Sequence, residues 1–518
     1  MPGGFILGVC GRGWQRFQHD ERGVILIIFS LLIVPLLLIV GVAIDFGQSL
    51  IVKHQLAAAA DAAALSIGAE PNLDDAEARQ KAEDYIHAHY PDAAIGKLTS
   101  FTVTRDKDTI DVSATAQFDT SFLRFAGYNA LDVTVNSRVL RKQNKLEVVM
   151  VLDNTGSMAG AKIAALKTAA NELVDTLFGS DEESTYVKIG LVPFTNAVNI
   201  GKSRRGAAWL DEATPAAING EQLTDGGATV SLFRFFEALN VSWKGCVRSR
   251  AEPFDLTDEP PDPADRRTLF TPYLAPDEPC TSTRTCPNLD NDYLSGDRAP
   301  RKFLSDYRNR SNVPASGPNH YCPNAIQDLT NVKSTITSAI DAMVANGPTV
   351  IPEGIAWGWR LISPGPPFTG GAPYSDQDTI KAVIVLTDGD NNVSPNSNGA
   401  YNSVFSSYGY VGDGKHLGAA DGSQADAVLN EKTAQVCENI KADKDGDPTD
   451  QDIVVYTIVF GGGVSSDTEK MMRECASDPS KYFSSPSVDD LHGAFESIAL
   501  GLSRLRVASD VGDGGSAP

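Results

Sequence analysis

A chain of 518 residues is too long for one compact core, so roughly two to four folding units are expected. Its formal net charge of −22 excludes a surface that wraps nucleic acid, because neutralising phosphates takes a basic face.

Residues 24–44, VILIIFSLLIVPLLLIVGVAI, run for 21 positions without a charge. At about 1.5 Å per residue that crosses a hydrocarbon core of about 30 Å, so the segment reads as one transmembrane helix with Pro35 inside it. A cleaved secretory signal would have a shorter apolar part ending at a small-residue cleavage site. Here the run continues unbroken into DFGQSLIVKHQLAAAADAAALSIGA, and an uncleaved anchor is expected. Arg12, Arg16 and Arg22 precede the span and only Lys53 closely follows it, which predicts a cytoplasmic tail at 1–23 and an exported remainder. Cys10 lies in the tail. The other six cysteines, Cys246, Cys280, Cys286, Cys322, Cys437 and Cys475, lie beyond the span and suit an oxidising compartment.

Gln55 to Ala69 is Ala-rich, a composition that lets helices approach closely in or near a membrane or simply extends the anchor helix. A polar helix near Asp74–His87 comes next. FTVTRDKDTIDVSATAQF then alternates around a DKD turn, and LDVTVNSRVL alternates again, so 45–142 is predicted to be a small α+β unit, pilin-like in outline. From Lys145 strands alternate with helices. KLEVVMVLD, YVKIGLVPF, TIKAVIVLTDG and DIVVYTIVFGG read as buried strands, with helical spacing at Ile163–Leu177, Val332–Met343, 424–442, Asp467–Cys475 and Val488–Leu505. Such alternation specifies an α/β fold, doubly wound, with a mostly parallel sheet and helices on both faces over 143–507. Residues 200–330 and 393–423 break the pattern and are expected to be insertions, the first with structure of its own and disulfide staples. The tail 508–518 reads as disordered.

Open α/β sheets bind ligands beyond the carboxyl ends of their strands. There the first strand ends in LDNTGSM, with Asp153, Thr155 and Ser157. Thr349 lies in a later loop, NGPTVIPEG, and the third strand ends in Thr387 and Asp388. Carboxylates and hydroxyls from three loops suit a hard divalent cation such as Mg²⁺, which keeps several waters. Asp153 alone could also cap the helix that starts near 161. It could equally be a phosphate acceptor, since Asp-Asn-Thr-Gly-Ser is near the Asp-Lys-Thr-Gly-Thr of P-type ATPases, but those need many spans and a Lys where Asn154 stands. Neither a Lys-bearing phosphate loop nor a Gly-x-Ser-x-Gly elbow is present, so no enzyme activity is expected.

The Asp-x-Thr-x-Ser loop, Thr349 and Asp388 resemble the metal-ion-dependent adhesion site of von Willebrand factor A domains. The resemblance implies that Asp153, Thr155, Ser157, Thr349 and Asp388 hold Mg²⁺, or Mn²⁺ or Ca²⁺, and leave one position for a carboxylate on a protein partner. Thr155 replaces the commoner Ser and keeps its hydroxyl. ERGVILIIFSLLIVPLLLIVGVAIDFGQ resembles the TadE/TadG-like segment of tight-adherence pilus proteins, and VPFTNAVNIG, GIAWGWRLISP and LTDGDNN resemble the TadG type. This implies a single-pass bacterial inner-membrane protein, its bulk periplasmic or surface-facing, that assembles or anchors a tight-adherence pilus through pilus-assembly partners. A membrane-anchored adhesin for host or matrix protein is the second expectation. Prepilin-type cleavage wants a Glu where Ile28 stands after Gly23, so no prepilin processing is predicted.

Cys437 and Cys475 end two helices with one strand between them and are predicted to pair. Among the other four cysteines three connectivities are possible; the favoured one joins Cys280 to Cys286 and Cys246 to Cys322. The acidic run 443–452 reads as a solvated turn, since Pro448 and Val454 stand where a calcium loop wants Gly and Glu. Arg248, Arg250, Arg266 and Arg267 read as surface partners of nearby acids.

Overall fold

A computed structural model describes residues 22–68, 73–90, 95–105, 109–140, 144–213, 224–225, 228–276, 317–393, 404–411, 417–419, 422–446 and 452–507. Cys10, Cys280, Cys286, the tail 508–518 and most of the expected 393–423 insertion lie outside these residues. The chain forms two compact units, Met1–Lys142 and Gln143–Pro518.

The first unit holds α1 (Arg22–Gly68), α2 (Asp75–His89), β1 (Lys97–Arg105), β2 (Thr109–Asp119) and β3 (Ala130–Leu140), the strands forming an antiparallel sheet in the order β1-β2-β3. Helix α1 is long and apolar enough to cross a membrane, and its first half leaves Leu31, Leu32 and Ile39 exposed. Its second half buries Val52, Leu56, Ala59, Ala63 and Ile67 with Ile110, Val112, Ala114 and Ala116 of β2. The Ala-rich run therefore packs on its own sheet. Small residues on both surfaces let helix and strand lie close, so the spacing that suggested membrane helices is spent inside the unit. Helix α2 starts in a capping box, with the Glu77 N–H donating to Asp74 Oδ1 at 2.8 Å and the Asp74 N–H to Glu77 Oε2 at 3.1 Å.

The second unit runs β4 (Lys145–Asp153), α3 (Ala161–Phe178), β5 (Val187–Phe194), β6 (Val198–Asn199), β7 (Thr224–Asp225), β8 (Ala228–Thr229), α4 (Phe233–Leu239), β9 (Cys246–Val247), β10 (Gln327–Thr330), α5 (Lys333–Asp341), α6 (Ile351–Ile362), β11 (Thr379–Thr387), α7 (Gly422–Lys441), β12 (Val454–Phe460), α8 (Ser466–Cys475), β13 (Tyr482–Ser485) and α9 (Val488–Val507). Strands β13, β12, β11, β4 and β5 lie side by side and parallel, while β6, β9 and β10 add antiparallel pieces beyond β5. Alternation along β4 sends Val148, Met150 and Leu152 to a core with Leu166, Ile336 and Phe495 of α3, α5 and α9. Val149 and Val151 face the other core, with Ile355 and Trp357 of α6 and Val436 of α7. Both faces being covered is why the strands read as continuous apolar runs. Helix α6 presses on the sheet through glycines: a Cβ on Gly358 would collide with Val151, and one on Gly354 with the Phe194 ring.

At the amino ends of the strands, register places Glu147 of β4 between Lys188 of β5 and Lys381 of β11. Glu147 accepts from Lys381 at 2.7 Å and from Lys188 at 3.1 Å, and Lys381 is 2% exposed. A one-residue slip would strand these charges in the apolar layer, so the row works against misregistration.

The described residues of the expected insertion at 200–330 are built into this unit. β9 extends the sheet edge, β10 pairs with β5, and Phe233, Trp243 and Phe270 share a core with Val149 and Ile355. The expectation for Arg248 and Arg250 is overturned, for both are buried. Arg250 donates to the carbonyls of Phe254, Glu259 and Thr257, and Arg360 of α6 donates to those of Thr257 and Asp255. Two guanidinium groups thus satisfy a strandless segment that lacks ladder partners. Arg266 and Arg267 do lie outward, paired with Asp211 and Asp265. Disulfides join Cys246 to Cys322 and Cys437 to Cys475, with Cα separations of 5.8 and 5.0 Å.

Candidate metal centre

Three loops meet at the carboxyl ends of β4 and β11. Parallel register sets Leu386 beside Leu152, so Thr387 comes level with Asp153, and its hydroxyl donates to Asp153 Oδ2 at 2.8 Å. The other Asp153 oxygen accepts the Thr155 N–H at 2.8 Å. Past the strand the chain makes a short 3-10 turn, Gly156–Met158, which aims two hydroxyls at one place: Thr155 Oγ1 and Ser157 Oγ are 2.9 Å apart. Ser157 donates to Asp388 Oδ1 at 2.5 Å, which closes a chain from one carboxylate to the other through hydroxyls.

The loops are tied by their backbones. The Gly156 N–H donates to the Gly347 carbonyl at 2.8 Å, and the Asn346 N–H to the Asn154 carbonyl at 2.7 Å. Thr349 and Asn392 exchange N–H to carbonyl bonds at 3.3 and 2.9 Å, which fixes the Thr349 loop to the segment that follows Asp388. A Cβ on Gly389 would stand 3.8 Å from Ser157 Oγ and 4.0 Å from Thr349 Oγ1, so both hydroxyls face this glycine. All five residues singled out in the sequence are therefore brought together. Asp153, Thr155, Thr349 and Asp388 are buried and Ser157 is exposed, which makes the serine the mouth of the site.

Charge is unbalanced there. Burial and then the Asp388 charge push the Asp153 carboxyl up to about 6, against the hydrogen bonds from Thr155 and Thr387 that pull it down. The Asp388 carboxylate is answered by Lys162, whose ammonium is 2.6 Å from Oδ2. Lys162 was not singled out in the sequence, but a signal existed: it stands in the first turn of α3, where the helix dipole disfavours a cation. Two carboxylates and the hydroxyls between them, with burial and mutual repulsion penalising the charge on Asp153, form an oxygen set that a divalent cation fits.

The competing roles of Asp153 meet specific obstacles. Helix α3 is capped at Gly160 with no side-chain bond, so Asp153 is not its cap. As a phosphate acceptor it would need an open approach, and it is wholly buried. In the acidic run, Asp443, Asp445 and Asp452 bring carboxylate oxygens within 4.8 Å of one another, with N–H groups of Lys444 and Gly446 donating to Asp452 and Asp443.

Residues 23–69 match the TadE/G-like Flp pilus-assembly family. No curated protein matches the chain. Among solved structures, the von Willebrand factor domain of the type V pilus tip protein Mfa5 from Porphyromonas gingivalis is similar over 72% of this chain and 99% of its own, at 11% identity and a TM-score of 0.35. The pilus adhesin SpaC from Lactobacillus rhamnosus GG is similar over 80% of this chain and 34% of its own, at 11% identity and a TM-score of 0.31. A von Willebrand factor type A protein from Catenulispora acidiphila is similar over 80% of this chain and 52% of its own, at 10% identity and a TM-score of 0.28.

Proposed function

We propose that this chain is a membrane-anchored, metal-dependent protein-binding component of tight-adherence pilus assembly or anchoring. The observation that carries the reading is the meeting of Asp153, Thr155, Ser157, Thr349 and Asp388 at one sheet edge, hydroxyls bridging two carboxylates. These residues would hold Mg²⁺, Mn²⁺ or Ca²⁺. Bound there, the cation supplies positive charge between the carboxylates and an attachment point for an acidic group of a protein partner. Asp153 and Asp388 neutralise it, Thr155, Ser157 and Thr349 present hydroxyl oxygens, and the backbone ties keep the loops from collapsing when charge is added. The match of the anchor segment to a pilus-assembly family supports placing that partner among pilus-assembly proteins. Among the described residues one helix is long and apolar enough to cross a membrane, and the arginines on its amino side support an inner-membrane protein with the second unit outside the cytoplasm.

Titration calorimetry of the detergent-solubilised full chain with Mg²⁺ and Mn²⁺ tests the site. The wild type is expected to bind, and Asp153→Ala and Asp388→Ala to lose binding. Equal binding by wild type and both variants would show that the ion sits elsewhere.

A further inference from the structure

We propose that the turn at 121–128 is a bilayer-docking element, which seats the first unit on the membrane surface by placing Phe125 and Tyr128 at the boundary between lipid headgroups and acyl chains. The inference rests on reading residues 24–44 as the membrane span. Asp45 is the first charge after that run, and it is wholly buried. What buries it is the turn: the N–H groups of Ser121, Phe122 and Leu123 donate to its carboxylate at 2.8, 2.9 and 2.6 Å. A carboxylate at the edge of hydrocarbon needs such donors, so the turn lies at the depth of Asp45.

The turn also reaches below that depth. The Phe122 ring lies where a Cβ on Gly41 would be, four residues and about 6 Å further into the apolar run. Gly41 is thus the space that lets the turn seat on the last helical turn of the span. Leu123–Ala126 forms a 3-10 turn closed at Gly127, whose φ of 96° only glycine adopts without strain. From this base Phe125 projects 72% exposed and Tyr128 61% exposed. On the helix beside them Phe46 is 62% exposed. The Arg124 guanidinium lies 5.3 Å from the Phe125 ring centroid, a cation placed to meet lipid phosphate above an aromatic that enters the acyl boundary. Amphipathic aromatics at this level are what a membrane interface accommodates. The occupant of this apolar tip is then the leaflet continuous with the span.

The test uses the full chain, one copy per nanodisc, in phosphatidylethanolamine and phosphatidylglycerol with plain or acyl-brominated chains. Three single variants are read as difference emission over the wild type: Phe125→Trp, Ile39→Trp inside the span and Tyr85→Trp on α2. The Phe125→Trp indole is expected to be blue-shifted and its emission roughly halved by brominated lipid, as the Ile39→Trp indole is, while Tyr85→Trp is unaffected. Adding Asp45→Ala to Phe125→Trp releases the turn and is expected to reduce the quenching. Quenching of Ile39→Trp without quenching of Phe125→Trp overturns the docking turn and leaves the span intact. If Ile39→Trp also escapes quenching, the span reading falls and the docking turn falls with it.

Discussion

Asp153→Asn should stabilise the metal-free second unit at neutral pH and weaken it once metal is added. The Asp153 carboxyl is raised from 3.8 to about 6 in the folded chain, so folding favours its protonated form. Above pH 6 the folded state must hold it ionised, at a cost of about 3 kcal/mol for a shift of about two units in a fully buried group. That cost falls as pH drops through the window between about 6 and 3.8, and is roughly halved by pH 5. An amide fits the position. Asp153 Oδ1 still accepts from Thr155, and the Thr387 hydroxyl can accept from the new NH₂ and turn its proton to the Gly389 carbonyl 3.0 Å away. Guanidinium unfolding of residues 143–518 in EDTA should then find the variant more stable than wild type at pH 7.5 by up to about 3 kcal/mol, with a smaller gap at pH 5. With metal at 100-fold over its dissociation constant, the wild type gains about 2.7 kcal/mol that the variant forgoes, and the order closes or inverts. A variant less stable than wild type in EDTA, by the same amount at both pH values, would refute the electrostatic account of the site.

Lys162→Met removes the cation that answers Asp388 without metal, and should tighten Mg²⁺ binding in calorimetry by several-fold; unchanged or weaker binding would mean that the ammonium does not compete. Replacing Cys437 and Cys475 together by Ser opens a bridge spanning 38 residues, for which loop-closure entropy gives about 3.9 kcal/mol, read as a lower denaturation midpoint. Glu147→Ala leaves buried Lys381 without a carboxylate partner, the Ile362 carbonyl and the Tyr374 ring remaining, and should cost about 3 to 5 kcal/mol, most of it recovered by adding Lys381→Met, as measured by chemical denaturation.

Local pattern alone carried the periodic features. The charge-free run, the alternation along β2 and β3, and the apolar strands between helices are written in residue spacing, because a strand covered on both faces or a helix in lipid admits few polar positions. Asp153, Thr155, Ser157, Thr349 and Asp388 were legible for a related reason: each stands at the end of an element or in the loop beside one, and a doubly wound sheet gathers those ends at one edge. What spacing could not decide is what lies opposite a given side chain. Lys162 on Asp388, the Lys-Glu-Lys row at Glu147, Arg360 on the carbonyls of Thr257 and Asp255, and the turn under Asp45 each join residues far apart in sequence, and their partners exist only after the chain has folded. The same holds for the alanines of α1, whose spacing fits a membrane neighbour and a sheet equally well. Periodicity records which face is apolar; packing alone decides what covers it.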